Sequence, residues 1–138
     1  MTSVLEEFGL QSRFCGDFGS RFTKELLAAA ADDIEAEGIV AKLTDDWAGS
    51  PRGDAVSLRL AGALHAAALT GRDSRLAAEY PGVNPDWSMD RLWPIAQAFL
   101  MREQGWLRDC MKSPPQTNET ARAAGLARSF LWLAERSP

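Results

Sequence analysis

Apolar residues recur at three- and four-residue spacing along most of the chain, and glycines, prolines and capping residues cut that pattern into helices. Ser3-x-x-Glu6 has the form of a capping box and opens a helix carrying Leu5, Phe8 and Cys15. Gly16 and Gly19 should end it. Ser20 can cap a second helix running to about Glu37, with Thr23, Leu27, Ala30 and Ile34 on one stripe. Gly38 is placed to supply the left-handed residue after that helix, with Ile39 as the apolar partner of Ile34 in a Schellman ending. A short helix from Ile39 to about Asp45 follows, then a breaker-rich loop over 47–53.

Asp54 can cap the next helix, from Ala55 to Thr70. Its first residues, Val56 to Leu60, alternate like a strand, but the Ala-rich continuation and the stop at Gly71 favour a helix. Only Ser57, Arg59, His65 and Thr70 are polar there, so this helix is apolar nearly all round and belongs in the middle of a bundle. Gly62 would permit a close neighbour. Asp73 can cap a short helix ending at Tyr80-Pro81, and 82–87 reads as a loop. A long helix from about Asp90 to Met111 carries Leu92, Ala96, Phe99, Leu100, Trp106, Leu107 and Cys110 at helical spacing, with Pro94 in its first turn.

Ser113-Pro114-Pro115 launches a last amphipathic helix. At 100° per residue, Ala123, Ala124, Leu126, Ala127, Phe130, Leu131, Leu133 and Ala134 fall within about half its circumference. Trp132 stands among the polar residues, where an indole either lies over its neighbours or anchors an interface. The pattern predicts an all-α fold: one helical bundle of about six to eight helices over 1–138, around a central apolar helix near 55–70.

Composition narrows the function classes. Fifteen basic and nineteen acidic residues give a net charge of −4, with no cluster of lysine or arginine, so phosphate-driven nucleic-acid binding is not expected. The longest apolar run is too short to span a membrane, and the N-terminus lacks the pattern of a signal peptide, so a cytoplasmic location is expected. Cys15 and Cys110 are far apart and read as two small buried hydrophobes.

Chemistry-bearing constellations are few. Gln116, Thr117, Asn118 and Glu119, with Arg122 one turn on, place amides, a hydroxyl and a carboxylate at a helix mouth. These residue types suit capping, and they also suit a polar ligand at the free N–H groups. His65 is the only histidine and, on so apolar a helix, fits a core residue satisfied by one hydrogen bond. Without a second histidine there is no usual zinc set, and no catalytic triad or phosphate loop can be assembled. No metal, no cofactor and no catalytic residue is therefore expected. The adjacent pairs Asp32-Asp33 and Asp45-Asp46 read as solvated acids.

Several stretches together resemble a known family. They are Cys15 with Gly19-Ser20 and Leu26-Leu27; Ala31-Asp32-Asp33-Ile34; Trp47 with Pro51-Arg52; the run from Leu58 to His65; Tyr80-Pro81; and Pro114-Pro115-Gln116-Thr117-Asn118-Glu119 with Arg122. The chain resembles the N-terminal helical part of the bacterial domain of unknown function 2332 family. The resemblance implies that longer members continue into an α/β half with a turn similar to the cofactor loop of S-adenosylmethionine-dependent methyltransferases. This sequence stops short of that turn. The implied chain has no catalytic machinery of its own and acts as an interaction domain, either as a homodimer or with a separate α/β partner. A second expectation is a small-molecule or catalytic site formed by His65, Arg59, Gln116, Thr117, Asn118 and Glu119.

Overall fold

The computed structural model describes residues 3–112, which form seven helices and no strand. The all-α expectation holds. The segment expected to form the last amphipathic helix, with Trp132, Arg122 and Gln116, Thr117, Asn118 and Glu119, lies outside the described residues. Helices α1 (Val4–Asp17), α2 (Arg21–Glu35) and α3 (Ile39–Thr44) precede α4 (Val56–Leu69), α5 (Ser74–Glu79), α6 (Met89–Arg102) and α7 (Gln104–Lys112). Two compact units divide the chain, Met1–Ala61 and Gly62–Pro138, and the boundary falls inside α4.

In the first unit α1 packs against α2, and α2 against α3. Ser3 caps α1 by accepting from the Glu6 N–H at 3.1 Å. The helix runs through Gly16, and Gly19 takes the left-handed turn at φ +87°. The Ser20 N–H then reaches the Cys15 carbonyl at 2.8 Å and the Gly19 N–H reaches that of Gly16 at 3.1 Å, which completes a Schellman ending. The core consists of Phe8, Phe22, Leu26, Leu27, Ala30, Val40, Leu43, Val56 and Leu60. Each large member stabilises the fold by roughly 1.5–3 kcal/mol through removal of its side chain from water. The buried face of α2 is rotated from the expected stripe. Leu27 and Ala30 are buried as expected, whereas Thr23 and Ile34 are only half-buried, and Phe22, Leu26 and Asp33 take the inner positions.

The ending of α2 also differs. Glu37, at φ +58°, is the left-handed residue, and Gly38 is not. The Gly38 N–H bonds to the Asp33 carbonyl at 2.8 Å, one position earlier than the sequence suggests. A Cβ on Gly38 would lie 2.6 Å from Asp33 Cγ, so this glycine makes room for a carboxylate.

In the second unit α5 packs against α6, and α6 against α7, around Leu64, Leu76, Tyr80, Leu92, Phe99, Leu100, Leu107 and Met111. Asp73 caps α5 as expected, accepting from the Leu76 N–H at 2.9 Å. The anticipated 90–111 helix is two helices. Glu103 leaves helical geometry at φ −109°, ψ 32°, where it forms a 3.0 Å ion pair with Arg72. Gln104 turns its side chain back onto the Met101 carbonyl at 3.1 Å, and Gly105, a weak helix former, follows in the next turn. Pro94 lies inside α6, past its first turn, and is exposed.

Helix α4 is buried along most of its length, in line with its apolar composition. A Cβ on Gly62, however, would meet nothing within 4 Å, so no close neighbour explains that residue. Among the described residues no helix is long and apolar enough to cross a membrane.

Candidate functional site

The start of α4 carries the first unusual arrangement. No capping side chain stands beside it: the preceding residue is Ala55, in the left-handed region at φ +49°, and Asp54 is engaged elsewhere. The cap comes from α1. Glu7, 1% exposed, accepts the Ser57 N–H at 2.6 Å with one carboxylate oxygen and the Ser57 hydroxyl at 2.6 Å with the other. The helix dipole at α4's N-terminus favours that negative charge. Burial nevertheless outweighs the two Ser57 bonds and raises the Glu7 carboxyl above its ordinary value.

Asp54 accepts the Trp47 indole N–H at 2.9 Å, which is why it does not cap α4. Arg59 donates its Nε–H to the Asp54 carbonyl at 2.7 Å and lies 5.6 Å from the centre of the Trp47 ring. These contacts pin the 47–54 loop onto the first turn of α4. They also unite two of the family-like stretches, Trp47 and Arg59, in one structural clasp.

A second carboxylate repeats the logic of Glu7. Gly38, the residue before α3, has no side chain to cap with, and Asp33 accepts the Val40 N–H at 2.7 Å in its stead. Asp33 is 6% exposed and so is not the solvated acid that its pairing with Asp32 suggests; Asp32, Asp45 and Asp46 are exposed.

The second unit places His65 and Tyr80 together. The His65 Nδ1 lies 2.7 Å from the Tyr80 hydroxyl, and the rings meet edge to face at 5.6 Å. Both are buried. Desolvation lowers the His65 pKa to about 3 and raises that of Tyr80 well above 10, so the pair is neutral at physiological pH. This is the core histidine that its apolar surroundings suggest.

Most of the charged residues described in this unit are exposed, while Asp73 is buried. Arg72 stacks on Trp106 at 4.4 Å while pairing with Glu103, and Arg102 pairs with Asp73. Burial would raise the Asp73 carboxyl, but the Leu76 N–H and Arg102 together bring it below the usual value. Cys15 and Cys110 are half-buried, less enclosed than expected. Burial raises the Cys110 thiol despite the neighbouring Arg72.

Of the residues singled out in the sequence, Arg59 and His65 are described, and each is engaged inside its own unit. Glu7 and Tyr80 drew no attention as chemistry-bearing residues. Glu7 bonds across fifty positions, a distance at which local periodicity carries no signal. No group of three or more histidine, cysteine, aspartate or glutamate side chains is arranged to hold a metal ion among the described residues.

One surface departs from this pattern of satisfied groups. On α1 and its cap, Leu10, Phe14 and Phe18 follow one another at four-residue spacing and are 41%, 59% and 64% exposed. The two phenylalanine rings lie 4.7 Å apart. Side chains four apart share a helix face, so the three form a continuous apolar ridge.

No curated protein and no solved structure matches this chain. A family model does, over residues 5–138, and it is described as "Uncharacterized protein conserved in bacteria (DUF2332)"; the chain belongs to that family.

Proposed function

We propose that this chain is a non-catalytic, self-associating helical domain, equivalent to the helical half of longer methyltransferase-like relatives. The observation that carries the reading is the contrast between its polar interior and its apolar surface. Glu7, Asp33, His65 and Arg59 are each engaged in bonds that shape the fold, while Leu10, Phe14 and Phe18 stand in water. A ridge of that kind usually marks an interaction site, and a two-fold homodimer is the commonest solution. The ligand-site reading receives no such support. His65 is buried beside Tyr80 and Arg59 bonds the Asp54 carbonyl, while Gln116, Thr117, Asn118 and Glu119 lie outside the described residues.

Sedimentation from low to several hundred micromolar protein tests the proposal. The expected result is a mass that rises from monomer toward dimer. A single monomer mass across that range overturns it.

A further inference from the structure

We draw no further inference here: the strongest candidate, the exposed ridge of Leu10, Phe14 and Phe18 on α1 and its cap, already serves the functional reading above, and nothing among the described residues shows what covers it.

Discussion

The two units share one way of burying a polar group and differ in a second. The first unit buries carboxylates, Glu7 and Asp33, and aims each at the opening turn of a helix whose own flanking residue, Ala55 or Gly38, cannot cap it. Among its described residues the second unit also buries a capping carboxylate, Asp73, which accepts the Leu76 N–H beside Arg102, and it adds a buried neutral pair, His65 and Tyr80. A helix N-terminus offers unpaired N–H groups and a positive dipole, which lower the cost of enclosing a carboxylate, although burial still raises the Glu7 carboxyl. Around His65 desolvation dominates, and the imidazole stays unprotonated.

Acid should separate the two units most sharply. His65 titrates near 6.5 when unfolded and near 3 when folded. Its folded pKa is depressed, so the stability linked to the neutral ring is complete above pH 6.5 and lost as pH falls toward 3. The loss amounts to ~1.4 kcal/mol per pH unit, or ~3 kcal/mol by pH 4. Urea unfolding followed from pH 7 to 4 should show this slope, and His65→Gln, whose amide accepts from Tyr80 but does not titrate, should flatten it. A slope unchanged in that variant would place the acid sensitivity elsewhere.

Glu7 runs the other way. Its folded pKa lies above its ordinary value, so its contribution is greatest below pH 4.5 and declines as pH rises through the folded pKa. Glu7→Gln should remove that dependence at small cost, because an amide can accept the Ser57 N–H and donate to the Ser57 hydroxyl. Glu7→Ala strands both buried donors and leaves a cavity, and should cost ~2 kcal/mol at neutral pH. Equal losses in the two variants would mean that packing, and not the cap, holds α1 to the start of α4.

Much of this is legible in the sequence, and most of what is not depends on a distant partner. The Ser3 and Asp73 caps, the apolar α4 and the core character of His65 all depend on neighbours within one helical turn or on local composition. Residues such as Glu7 depend on a partner fifty positions away. Asp54 is a good cap by type, yet the Trp47 indole engages it instead. The division of 90–111 into two helices falls at Glu103, which pairs with Arg72, again a distant partner. The ridge on α1 was invisible for a different reason: exposure is a property of the packed molecule, and Phe14 in a helical stripe reads like any core residue. The segment of Gln116, Thr117, Asn118 and Glu119, the most conspicuous in the sequence, lies outside the described residues.

The smallest expected effect tests the first unit's second carboxylate, and it inverts a common expectation about glycine. Glu37 holds the left-handed position that glycine usually takes, while Gly38 beside it has ordinary φ and exists to admit the Asp33 carboxylate. Glu37→Gly should therefore stabilise the protein by ~0.5–1 kcal/mol, since a side chain in left-handed geometry costs ~1 kcal/mol or more, partly offset by backbone entropy. Gly38→Ala should destabilise it by ~1 kcal/mol, because the new methyl pushes Asp33 away from the Val40 N–H. Thermal unfolding of the two single variants suffices to check both signs. If both changes destabilise, the turn is held by the Glu37 side chain; if neither does, Asp33 is dispensable as the cap of α3, and the parallel with Glu7 fails.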